Sequence, residues 1–392
     1  MKKRYLIGLG ALAAVILLVF LVFVLPVLNP DCTNSVGLGG KQFFENTRMV
    51  ELLKGAGYCT EVKTNSGYDS YPQKGKEDYS GIGFIQAGSI TFKSEMNAKY
   101  TGAPYNLGSG EFPSSGAPVK IMAEYIIGQS PMMMWLKDDA GYFSEFVKAG
   151  FVVCQGQVCY IDPQHVSILV DAAINRQTWT EIGINIPGTV NLGVPTGSGG
   201  RATTAMLLSC WQKSANGEFC GDMLTPEQIG TDFYHNAYDA LFSGGGQIPA
   251  GDDSLGIAKA WFPLPSNQTP TVALFATESA YASWFKELKT SSQAVVHDQL
   301  KVRGVYLMRP IMTTFTMICF TEECKRMVES VYETDAFQQI MSEEFGVRSG
   351  MYTNAPTYAG DFIDPAGHYT PMVFPLPGVT STISSYNKSY GK

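Results

Sequence analysis

Short apolar runs alternate along this chain with segments whose apolar residues recur every three or four positions. Residues 36–38, 60–63, 83–87, 119–127, 132–136, 190–194, 271–276, 302–307 and 313–318 have the apolar character and run length of strands. Helical spacing is carried by 41–53, whose apolar side is Phe43, Phe44, Met49, Val50 and Leu53, and by 142–149, 166–175, 202–208, 226–242, 283–288 and 322–345. In the last of these the first and last parts can be separate helices. Thr225 suits a helix cap and Pro226 the first helical position, with Gly244, Gly245 and Gly246 to end that helix. Residues 151–160 read as a hairpin. Alternation of this kind predicts an α/β fold with mainly parallel sheets.

One apolar segment does not fit that scheme. Tyr5 to Leu28 runs without a charge behind Lys2, Lys3 and Arg4, and at ~1.5 Å per residue it can cross a ~30 Å hydrocarbon core. A cleaved signal peptide would carry a shorter apolar region and small residues at a cleavage site. The run therefore predicts an uncleaved anchor over residues 1–30, with the cations in the cytoplasm and the bulk of the chain outside. About 360 residues remain, more than one core usually holds, so two lobes are expected. The tail 371–392, rich in Ser, Tyr and Gly, reads as flexible.

The formal charge is −7, and setting aside the three N-terminal cations takes it to −10. That balance argues against nucleic acid as a partner. Eight cysteines fall as close neighbours, Cys32 with Cys59, Cys154 with Cys159, Cys210 with Cys220 and Cys319 with Cys324. In an exported chain an even count points to disulfides, and nearest-neighbour pairing is the simplest pattern. Cys154/Cys159 and Cys319/Cys324 have a spacing at the loose edge of zinc ligation, but neither is followed by a matching pair. No cofactor motif is found.

The stretch TVNLGVPTGSGGRATTAMLLSC, residues 189–210, reads as a strand ended by Pro195, a glycine-rich loop over 196–200, and a helix from Ala202. Free amides and the positive end of a helix dipole favour an anion at such a turn. Arg201 can clamp a carboxylate or oxyanion with two hydrogen bonds. The stretch is neither a Walker A loop nor a nucleophile elbow, and a plain strand-to-helix connection would also need glycine there. Met132, Met133, Met134 and Trp135 read as core, since only alternate strand residues share a face.

Several blocks, in order and spacing, resemble the type II periplasmic binding proteins. They are Gly39-Gly40-Lys41 before Phe43-Phe44, Asn65-Ser66-Gly67, Ala87-Gly88-Ser89, Ser130-Pro131, Thr178-Trp179-Thr180-Glu181-Ile182, Thr196 to Gly200, and Glu278-Ser279-Ala280-Tyr281. Residues 337–341 with Phe345-Gly346-Val347-Arg348 resemble the terminal helix and its ending, although the last proline is missing and Phe and Gly are exchanged.

The resemblance spans about residues 35–348. It implies two α/β lobes joined by crossing strands, lobe 1 from 31–130 and 275–370 and lobe 2 from 131–274. It also implies capture of a small, here anionic, solute in the cleft, for an ABC-type permease. The ligand contacts it implies are Lys41, Asn65, Ser66, Gly88, Ser89, Ser198, Gly199, Gly200, Arg201 and Glu278. For Glu278 a hinge ion pair, with Arg309 as a candidate partner, is the simpler reading. Two alternatives stay open. One is a sensory or structural ectodomain on the same fold. The other is a serine-type hydrolase with Ser198 as nucleophile and His165, His235, His297 or His368 as base.

Overall fold

The computed structural model describes residues 33–38, 45–64, 111–113, 118–120, 123–156, 158–195, 198–213, 217–220, 224–242, 247–248, 260–269, 271–282, 302–308, 311–319, 322–348 and 370–371, with residues 284, 382, 383 and 385. The run 5–28, Lys41, Asn65, Ser66, Gly88 and Ser89 lie outside them. No helix among the described residues is long and apolar enough to cross a membrane.

In chain order the strands are β1 (Thr33–Leu38), β2 (Tyr58–Thr64), β3 (Glu111–Pro113), β4 (Pro118–Lys120), β5 (Ala123–Lys137), β6 (Val153–Gln155), β7 (Val158–Ile161), β8 (Leu192–Pro195), β9 (Gln247–Ile248), β10 (Ala273–Thr277), β11 (Val302–Leu307), β12 (Ile311–Cys319) and β13 (Thr370–Pro371). The helices are α1 (Thr47–Gly55), α2 (Tyr142–Lys148), α3 (Pro163–Ile174), α4 (Ser198–Trp211), α5 (Pro226–Ile229), α6 (Asp232–Phe242), α7 (Glu322–Val331) and α8 (Asp335–Phe345). A further helical turn covers 278–282.

β5 organises the chain. Its first part, to Pro131, pairs antiparallel with β12, and its second part pairs antiparallel with β11 on that same side and with β10 on the other. β11 and β12 are successive strands, and together they run back along nearly all of β5. The expected break between 127 and 132 does not occur. Gln129 bonds its peptide groups to Arg348, and residue 131 points its own to that same edge. There Pro131 falls between the Arg348 bridge and the first β10 pair, Thr277 with Met132, so its missing N–H breaks no rung.

Two bodies condense on the two ends of β5. The first has a core of Met49 and Leu53 of α1, Ile127, Met327, Val328 and Val331 of α7, Phe337, Ile340 and Met341 of α8, and Val347. The second covers both faces of its sheet. Met132, Met134 and Leu136 join one face with α3, α4 and α6, while Met133 and Trp135 join the other with Trp261, Phe262, Tyr281 and Trp284. Helices and loops on both sides explain why this half of β5 is an unbroken apolar run. Val305, Tyr306 and Leu307 of β11 are buried in these same second-body cores, so residue 274 does not end the second lobe.

Local chemistry sets most helix ends. Asn46 accepts from Met49 N–H, and α1 starts at Thr47, six residues later than the sequence pattern suggested. Asp162 and Thr334 cap α3 and α8 in the same way. The expected single helix over 226–242 is two. Thr225 and Gln228 form a reciprocal box at the start of α5, and the Thr231 hydroxyl donates to Gln228 C=O after Gly230, ending it. Further on, Thr370–Pro371 pairs with β12, and Ile383 is buried in the larger core.

Two of the expected disulfides are present, Cys154–Cys159 across β6 and β7 and Cys210–Cys220. The side chains of the other two pairs lie outside the described residues.

Lys137, last in β5, is 1% exposed. Its Nζ donates to Trp261 C=O at 2.8 Å, to Phe262 C=O at 3.2 Å and to Leu264 C=O, and lies 4.0 Å from the centre of the Trp261 ring. Burial lowers its pKa to about 7, partly opposed by Asp139. In the unfolded chain the ammonium keeps its proton to about pH 10. Between these values the unfolded state holds more protons, so stability rises with pH. Unfolding free energy is expected to increase from pH 7 to 9, with a slope of at most about 1.4 kcal/mol per pH unit. Lys137→Met should lack this increase. Denaturant titrations of both proteins across that range would refute the assignment if their pH profiles run parallel.

Candidate functional site

In the second body β7, β11, β10, β8 and β9 all run the same way, with β5 opposed to them. Their carboxyl ends therefore meet one edge, and the chain crosses to the first body at that same edge through β5 and β11–β12. Open α/β sheets hold ligands at such an edge.

Two helical starts meet there side by side. β8 leads to α4, and its parallel neighbour β10, in register at Ala273 with Leu192 and Leu274 with Gly193, leads to the turn at 278–282. α4 starts at Ser198, so Ser198, Gly199, Gly200 and Arg201 form its first turn and not a loop before it. First-turn N–H groups have no intrahelical acceptor, which is why a serine and two glycines are accepted there. The free first-turn amides belong to a helix 14 residues long.

Glu278 opens the neighbouring turn, and its carboxylate is 0% exposed. Arg348 grips it with two hydrogen bonds, Nε to Oε2 and Nη2 to Oε1, both 2.8 Å. Tyr306 of β11 donates its hydroxyl to Oε1 at 2.6 Å and accepts from Arg348 Nη2 at 2.9 Å. These contacts make Glu278 and Arg348 a buried ion pair at the junction; Arg309 lies outside the described residues. Beside it Ser130 accepts the Ser279 N–H at 2.9 Å, and the Thr277 and Ser279 hydroxyls lie 3.0 Å apart. The sequence reading had missed Tyr306 and Arg348 as members of this cluster. The arginine stands in the Phe345-Gly346-Val347-Arg348 block, which carried a signal; one tyrosine in an apolar strand carried none.

The histidines are placed elsewhere. His165 Nδ1 lies 2.8 Å from Asp162 at the start of α3. α3 packs against the far end of α4, where Ser167 donates to Trp211 C=O, roughly 20 Å from Ser198 at ~1.5 Å per residue along the helix. That distance removes His165 as a base for Ser198. His235 sits on an exposed face of α6 beside Asp239. His297 and His368 lie outside the described residues.

No protein-family model and no curated protein matches this sequence. Solved structures do. Iron-bound HitA from Pseudomonas aeruginosa aligns with 92% of this chain and 100% of its own, at 10% identity and a TM-score of 0.49. The apo ferric ion-binding protein A of Pasteurella haemolytica aligns over 91% and 96% at 9% identity and a TM-score of 0.49. A putative spermidine/putrescine ABC transporter protein from Listeria monocytogenes aligns over 91% and 97%, at 9% and 0.45.

Proposed function

We propose that the protein is an extracytoplasmic solute-binding protein, held at the membrane by residues 5–28, that captures a small anionic solute between its two bodies for an ABC-type importer. One observation carries the reading. Two antiparallel crossings join the bodies exactly where the carboxyl ends of five parallel strands, and the first turn of α4, face the junction. A solute held there touches both bodies only when they close, so binding favours closure.

A thermal-shift screen against oxyanions, amino acids and sugars tests this, followed by calorimetry on the best solute. Arg201→Ala is expected to weaken an anion by about 10-fold or more, since a charged hydrogen bond contributes ~1.5–3 kcal/mol. Unchanged affinity would take Arg201 out of the site. Turnover of ester or phosphate substrates that vanishes in Ser198→Ala would replace this reading with the hydrolase. Recovery of the chain in the soluble fraction after a carbonate wash would remove the anchor.

A further inference from the structure

We propose that Glu278, Arg348 and Tyr306 form a buried pivot that fixes the angle between the two bodies, a set of positioning residues and not a solute contact. Its purpose rests on the binding reading above; its existence does not.

Each member belongs to a different segment, and together they span the junction. Arg348 follows Val347, which is buried in the first core, and its backbone makes a two-bond bridge with Gln129 at 2.6 and 2.8 Å. Tyr306 is buried in the second-body core, and Glu278 begins the turn that carries Ala280 and Tyr281 into that same core. The cluster therefore ties the end of α8, in the first body, to two second-body segments.

The fit around it leaves no room to slide. A Cβ on Gly346 would lie 2.3 Å from Ala282 Cβ, and one on Gly128 would lie 2.2 Å from Val347 Cγ1. Rotation is less restricted. The crossing ladder is itself irregular, for β12 slips register between Phe315 and Thr316, opposite Gly128. Glu278 is 0% and Arg348 4% exposed. Pulling them apart would leave a lone charge in a medium that solvates it poorly, so the pair stays joined and the bodies keep the angle it sets. The Tyr306 hydroxyl touches both charges and sets their relative orientation.

The test uses the full chain without solute. Nitroxides on non-cysteine handles replace Lys148 of α2 and Arg326 of α7, both exposed and one on each body. Pulsed EPR is expected to give a narrow distance distribution in the parent. Tyr306→Phe should broaden it at least twofold, with far-UV circular dichroism and both described disulfides retained. Glu278→Gln should broaden it further. A folded Tyr306→Phe with the parent's width overturns the pivot. So does loss of folding in Tyr306→Phe, because a pivot predicts two intact bodies. A solute screen that finds nothing would count against the binding reading and leave this result standing.

Discussion

Trp135→Ala is expected to lower the unfolding free energy by about 3–5 kcal/mol, the range for truncating a buried aromatic. Trp135 stacks on Tyr281 with ring centres 4.5 Å apart, meets Phe262 edge-on at 5.3 Å and donates its indole N–H to Ala276 C=O. Truncation opens a cavity beside the last residues of β5 and leaves that carbonyl without its indole donor. Trp211→Ala is the control. That ring stacks on the exposed Phe233 at the surface of the second body, and its loss should cost well under half as much. Equal losses in guanidinium titrations would mean that the second face of the sheet is not packed as described.

Gly346→Ala should be more damaging than Gly183→Ala, although both glycines have positive φ, 62° and 86°. A left-handed backbone costs an L-residue ~1–2 kcal/mol at either site. At Gly183 the new methyl meets open space. At Gly346, which ends α8, it runs into Ala282, and overpacking adds ~1–3 kcal/mol. The expected totals are about 1–2 kcal/mol for Gly183→Ala and about 2–5 kcal/mol for Gly346→Ala. Similar losses in both would show that the end of α8 can move away from the 278–282 turn.

Much of the fold was legible because local signals set it. Alternation marked the sheet, and Thr225 with Pro226 marked one helix start. What sequence could not supply was pairing between distant segments. The apolar runs 119–127 and 132–136 looked like two strands; that one strand changes ladder partner between them is a tertiary fact. Thr231 split a helix with one side-chain hydrogen bond that periodicity does not register. At the candidate site, the 189–210 stretch was visible from its glycines, though glycine content placed the helix start four residues late. The Glu278 partner was not visible, because nothing in sequence brings positions 278, 306 and 348 together until β5 is threaded between them.

That threading also orders the events of synthesis. Arg48 of α1 reaches Glu343 of α8 across 295 residues of intervening chain, with Nη1 2.6 Å from the carboxylate. α1 buries Met49 and Leu53 largely against α7 and α8. The N-terminal part of the first body thus emerges early and waits, its apolar side uncovered, until residues beyond about 335 follow. Long-range closure of this kind slows folding and prolongs the exposure of sticky surface. A chain truncated before α8 would strand α1 without its partner helices, while β5 to β10 would already hold most of the second core. Nascent-chain protection is therefore expected to appear in the middle of this sequence before it appears at the beginning.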